Sequence, residues 1–221
     1  MGELKYFRPQ MADTESTKKS FFGKLLDVIA GSPTNSPQNS EERSQFAPKQ
    51  KDPEDVRFVE QLTHNGGLFV YCGTKNELIE SFNNIVAENK LLAVGSPDLN
   101  LMSFLKTNGA NNLHDNLKDC DTICTYCEAL IAFNGGIMIN EHQTKGVRID
   151  DMPKCHIVIG KTSQLVENLH GAMSRVNQHY RDNRPGQISV LKGPNDQNVK
   201  LASADPNKNR LLFLLFIEDS F

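Results

Sequence analysis

Three cysteines carry the most suggestive local chemistry in the chain. Cys120, Cys124 and Cys127 form a C-x3-C-x2-C run with Tyr126 before the last thiol. Three thiolates so spaced can hold three irons of a four-iron cluster and leave the fourth open for radical chemistry on S-adenosylmethionine. They can also hold zinc, with His114 or Cys155 as a fourth ligand. Context favours a third reading, structural cysteines packed in the fold, with redox-sensitive thiols as a fourth. The run does not open a long barrel sequence, and no glycine segment for the sulfonium cofactor follows it. With Cys72 the chain has five cysteines and no recognisable export signal, so free thiols are expected rather than a disulfide framework.

A second constellation is more dispersed. His156 sits at the edge of an apolar run, where it is either a hydrogen-bonded core histidine, the reading its neighbours favour, or an acid–base group. Arg148 could hold a carboxylate or phosphate. Asn134-Gly135-Gly136 is a tight-turn signal whose N–H groups could face an anion, though a plain hairpin turn needs no ligand. Gly193-Pro194-Asn195-Asp196 follows a short strand, at the kind of strand end where open α/β sheets bind ligands, and reads equally as a turn. Together these residues outline a candidate pocket for an anionic small molecule. No paired metal-binding histidines, nucleophile triad, Walker loop or dinucleotide fingerprint is present, so no cofactor is expected.

The elements that would position these groups begin near Pro53. Residues 53–64 read as a helix stopped by Asn65-Gly66-Gly67, and 68–72 as a buried strand. Thr74 and Glu77 have capping-box spacing for a helix running to about Glu88. A strand over 91–94 follows, then a helix opened by Ser96-Pro97 and closed by Asn108-Gly109. Strands are expected at 129–133, 137–140, 155–160, 187–191 and 211–217. A helix is expected over 163–180, with Leu165, Val166, Leu169, Met173 and Val176 inward. Strand and helix alternation with apolar strands predicts an α/β fold, a mainly parallel sheet with helices on both faces.

Upstream, residues 31–56 hold four prolines and almost no apolar side chains, too little to offset the entropy of ordering. Before them Phe21, Phe22, Leu25, Leu26 and Ile29 share one face at helical spacing. This tethered amphipathic helix is a candidate contact for the chain's own domain, a protein partner or a membrane surface. The expected organisation is an N-terminal segment 1–30, a linker 31–54 and an α/β domain 55–221. Met11 is an alternative start. Lys and Arg number 24 against 27 Asp and Glu, a net charge of -3, without the basic footprint of a nucleic-acid binder. No apolar run is long enough to span a bilayer, and a cytoplasmic protein is expected.

The segment Cys127-Glu128-Ala129-Leu130-Ile131-Ala132-Phe133-Asn134-Gly135-Gly136-Ile137 resembles the LUD-domain signature of the form C-E-x-L-I-A-x-T-G-[ST]-I. Gly146, Arg148, Pro153, the run 156–159 and then 163–166 follow that family's order and spacing, and Gly193-Pro194 matches the start of its G-P-S segment. The resemblance covers about 55–221. It implies a fold of the phosphosugar-isomerase and CoA-transferase superfamily, near formyltetrahydrofolate cyclo-ligase. Family members include component C of the bacterial lactate-utilisation system. Several polar positions depart from the pattern: Asn134 replaces threonine, Gly136 replaces a hydroxyl residue, Phe133 replaces a polar one, and Asn195 replaces serine. Residues 197–200 replace a T-x-D-I-E stretch, and 203–206 stand near a missing G-x-H-G-P. The departures imply an accessory or non-catalytic member with a degenerate ligand site, working through a partner. The alternative is a small-molecule enzyme or sensor for a carboxylate or phosphate metabolite.

Overall fold

The computed structural model describes residues 53–194 and 210–219. The segment bearing Phe21, Phe22, Leu25, Leu26 and Ile29, the linker as far as residue 52, and Asn195 and Asp196 lie outside the described residues. Helix α1 (Glu54–His64) has Glu54 and Asp55 in its first turn, where negative charge complements the helix dipole, and buries Phe58, Val59 and Leu62. Gly66, at φ +79, turns the chain into strand β1 (Leu68–Cys72). Helix α2 (Lys75–Glu88) is capped by Thr74, which accepts from the Glu77 N–H. The Glu77 carboxylate reaches the Gly73 N–H at 2.8 Å rather than that of Thr74, so the expected box closes one residue early.

Three expectations are corrected next. The strand expected over 91–94 is reduced to β2 (Val94–Gly95). Leu92 and Ala93 donate their N–H groups to the Asp121 carboxylate, at 2.8 and 3.4 Å, instead of to a neighbouring strand. Helix α3 (Leu99–Thr107) is capped by Asp98 rather than Ser96: Asp98 accepts from Asn100 N–H, while the Ser96 hydroxyl accepts from Asp98 N–H. The long helix expected over 163–180 is broken. Thr162–Gln164 is a 3-10 turn, Leu165–Val166 is strand β7, and helix α5 (Leu169–His179) starts only after its cap Asn168. Within α5 Ala172 and Val176 face inward, whereas Leu169 is 52% and Met173 36% exposed. A strand pairing and a cap have overridden the helical period of the apolar residues.

The remaining elements are β3 (Thr122–Tyr126), β4 (Ala129–Ile131), β5 (Gly136–Asn140), the single turn α4 (Glu141–Thr144), β6 (Cys155–Lys161), β8 (Ile188–Leu191) and β9 (Leu211–Ile217). Five strands form a wholly parallel sheet in the order β1-β9-β6-β3-β2. A second sheet, β7-β4-β5-β8, is largely antiparallel. The last strand slots between β1 and β6 and is covered on both faces, which is why it reads as an unbroken apolar run. On one face Phe213, Leu215 and Ile217 pack with Leu78 and Phe82 of α2 and Leu101 and Leu105 of α3.

The second sheet lies on the opposite face. The two sheets approach closely at Gly160, where an added Cβ would stand 3.1–3.3 Å from Leu214 of its own sheet and from Cys127 and Leu130. The outer side of the second sheet, through Ala129, Ile131 and Met138, packs on Ala172 and Val176 of α5. Helix α1 packs on β1 and β7. The fold is therefore α/β, a mainly parallel sheet with helices on both sides. Among the described residues no helix is long and apolar enough to cross a membrane.

Candidate functional site

Glu128 leaves the end of β3 and is only 3% exposed, an unusual place for a carboxylate unless it is well paired. Its own N–H is taken by Met138 O across the β4–β5 hairpin, which fixes the side chain beneath α5. One turn of α5 places Arg175 and His179 on the same face, four residues apart. His179 Nδ1 lies 2.9 Å from Glu128 Oε1. The other oxygen accepts from Tyr180 OH at 2.9 Å, Gln143 Nε2 at 3.1 Å and Asn140 Nδ2 at 3.4 Å. Asn140 and Gln143 are held by their own reciprocal cap on α4. Arg175 Nε stands 3.5 Å from Glu128 Oε1 but is too poorly aligned to donate, while its Nη1 donates to Ser163 O at 2.9 Å.

Burial, and then the adjoining Glu128 carboxylate, raise the Tyr180 phenol above its usual range. The His142 ring stacks on Tyr180 with centroids 4.3 Å apart, and its Nε2 contacts Asn183 O at 3.0 Å. With Nδ1 of this half-exposed imidazole on the carboxylate, Nε2 is the ring nitrogen left to accept or donate a proton. Glu128 belongs to the signature segment already noted. His179, Tyr180 and Arg175 carry no sequence signal that would single them out.

The three motif cysteines do not converge. Cys124 is in the core beneath α2 and α3, Cys127 faces Gly160 and donates to Gln164, and Cys120 packs by Gly95 with its thiol on Asn116 O. Cys155 lies in the same core as Cys124, and His114 turns its Nδ1 to Asn116. Burial raises the thiols of Cys124, Cys127 and Cys155, and that of Cys72 to about 11. All five cysteines are free, and among the described residues no group of three metal-ligating side chains assembles.

The dispersed constellation is brought together only in part. Asn134, Gly135 and Gly136 lie against the last turn of α1: Asn65 donates to Asn134 O at 2.7 Å, and a Cβ on Gly135 would meet Leu62 N at 2.2 Å. The Gly135 N–H is taken by Ile131 O, and that of Gly136 by Asn134 Oδ1. Gly193 packs on the same corner, where its Cβ would be 2.3 Å from Gly67 N, and Pro194 follows it. The strand before Gly193 belongs to the second sheet, not to the parallel one whose carboxyl ends usually bind ligands. Arg148 is exposed and pairs with Asp150 at 3.4 Å. His156 is fully buried, with Nε2 2.8 Å from Thr125 Oγ1. Burial, and then the charge of Arg210, push its imidazole down to about 3, so the ring is neutral. Arg210, which no motif in the sequence singles out, is itself 2% exposed.

At the carboxyl edge of the parallel sheet several polar groups are engaged by the chain itself. Tyr71 OH donates to Glu218. Thr162 OH, Ser163 N–H and Ser163 OH all donate to Asp219, within 2.9 Å. These bonds, led by that from the Ser163 side chain, hold the Asp219 carboxyl below the usual range. Lys145 pairs with Asp98 at 3.4 Å.

The sequence model of the LUD domain matches residues 56–211. The chain belongs to the LUD-domain family. A crystal structure of a DUF162 family protein from Deinococcus radiodurans shares the fold, with a TM-score of 0.54 at 16% identity over 75% of this chain and 95% of that one. Ribose 5-phosphate isomerase from Plasmodium falciparum also aligns, with a TM-score of 0.29 at 9% identity over 76% of this chain and 96% of that one. Comparison with curated proteins returns no match.

Proposed function

We propose that this chain is an accessory, non-catalytic LUD-domain protein whose ligand site has degenerated and which acts through a protein partner. One observation supports the reading: several polar groups among the candidate residues and at the sheet's carboxyl edge are engaged by the chain's own side chains and backbone. Arg148 is paired with Asp150, the turn amides at 135 and 136 are spent, and Asp219 takes the donors of Thr162 and Ser163.

Thermal unfolding of the full chain in phosphate buffer tests this, with L-lactate, pyruvate, a sugar phosphate, coenzyme A, ATP or a reduced folate added. A ligand at a hundred times its dissociation constant stabilises by about 2.7 kcal/mol, a shift readily measured. No shift is expected; a saturable shift with one of them overturns the reading. Partner recovery should fall when residues 1–52 are deleted, and unchanged recovery removes the segment bearing Phe21, Phe22, Leu25, Leu26 and Ile29 as the contact.

A second reading, a small-molecule enzyme or sensor, draws on the Glu128–His179 pair. In it His179, rather than His156, bears the acid–base role. A metabolite shift in the wild type that disappears in His179→Gln would establish it, and a shift of the same size in the variant would exclude it.

A further inference from the structure

Arg210 and His156 pose a problem of charge that the described residues do not solve. The Arg210 guanidinium is buried, with Nη1 and Nη2 donating to the carbonyls of Pro153 and Ile149. Its Nε–H has no partner, and no described carboxylate lies within ion-pair distance of it; Asp150, the acidic group that acts on it, is paired with Arg148. Carbonyl dipoles do not neutralise a cation, and a buried unpaired charge is among the most costly arrangements a fold can hold.

On the adjacent strand His156 pairs with Leu212, and Arg210 stands two residues before Leu212, just ahead of β9, close enough for its charge to act on the imidazole. His156 Nδ1 is also buried and without a partner. Two buried nitrogens without partners on neighbouring residues are donors that one bound acceptor could satisfy together. A bridging water satisfies the hydrogen bonds but leaves the charge; an oxyanion satisfies both.

We infer that a small oxyanion, of phosphate or carboxylate chemistry, binds between Arg210 Nε and His156 Nδ1 at the amino-terminal edge of β6 and β9. Arg210 supplies the charge and one N–H. His156 supplies the second donor in its Nδ1–H tautomer, and Thr125 OH holds that tautomer by donating to Nε2. The site does not depend on the accessory reading, since it is interior and orders the chain rather than presenting a substrate.

The test titrates the full chain with inorganic phosphate or formate against sodium chloride of matched ionic strength, reading the melting temperature and the imidazole 15N shifts. The expected result is saturable stabilisation with one oxyanion and a moved His156 Nδ1 signal. Phosphate alone would assign a tetrahedral anion, and formate a carboxylate. Arg210→Met should weaken binding at least about tenfold, the loss of one charge-assisted contact. Should that variant not fold, the wild-type 15N titration decides alone. A response equal to that of chloride, an unmoved His156 signal, or undiminished binding by folded Arg210→Met overturns the site.

Discussion

Replacing Glu128 by Gln keeps the shape of the side chain and removes its charge. The amide has a preferred way to sit. Its oxygen can still accept from Tyr180, Gln143 and Asn140, which surround one carboxylate oxygen, while its NH2 faces His179 Nδ1. Neutral imidazole can accept there only by moving its proton to Nε2. The structure thus survives, but four hydrogen bonds lose their charge assistance and Arg175, 3.5 Å away, loses its counter-ion. A bond to a charged group contributes about 1 kcal/mol more than a neutral one. Because His179 and Tyr180 are partly solvated, the sum is discounted to about 2 kcal/mol. Glu128→Ala, which also leaves donors on buried Asn140 unpaired, should cost about 4 kcal/mol. Urea unfolding of the full chain followed by far-UV circular dichroism measures both, and 15N spectra of His179 report the tautomer. Losses below about 0.5 kcal/mol in both variants, or an unchanged His179 tautomer in Glu128→Gln, would refute the account.

The His156 imidazole is held well below its unfolded value, so between pH 6.5 and about 3 the unfolded chain binds the extra proton. Its contribution to stability is full above pH 6.5 and falls by about 1.4 kcal/mol per pH unit below it; His156→Gln should flatten that slope in urea titrations, and an unchanged slope would show that other groups carry it. Gly135→Ala combines φ +62 with a contact at 2.2 Å to backbone, and should lower stability by about 3 kcal/mol in a thermal melt. A native thiol titration should modify Cys120 first, the only cysteine that is not buried, and faster as pH rises, since burial followed by Asp121 and Asp119 raises its thiol. Equal reactivity of all five would contradict the packing. Asn168→Ala removes the cap of α5 and should cost about 1 kcal/mol by the same melt.

Local chemistry was legible wherever the cause lies within a few residues. The apolar runs of β1, β6 and β9, the Thr74 cap, the Asn65-Gly66-Gly67 stop and the 134–136 hairpin all follow from side-chain period, capping groups and backbone freedom. So does family membership, because the segment from Cys127 to Ile137 combines a buried strand, a turn and a second strand in one short stretch. The helix expected over 163–180 shows where this reasoning stops: Leu165 and Val166 fit a helical face, but strand β4 was available to pair with them.

Tertiary structure alone decided which distant residues meet. Nothing local to residues 211–217 says that the last strand enters between β1 and β6, since a strand buried on both faces looks the same in any interior position. Nor does any spacing relate Glu128 to His179, or His156 to Arg210 in preference to Arg148. Those pairs exist because a helix laid over the second sheet brings one histidine to a buried carboxylate, and a strand register brings one arginine beside the other. The sequence by itself determined most of the elements and the family; the stacking of two sheets determined the remaining elements and the sites, because packing joins residues whose separation along the chain carries no physical signal.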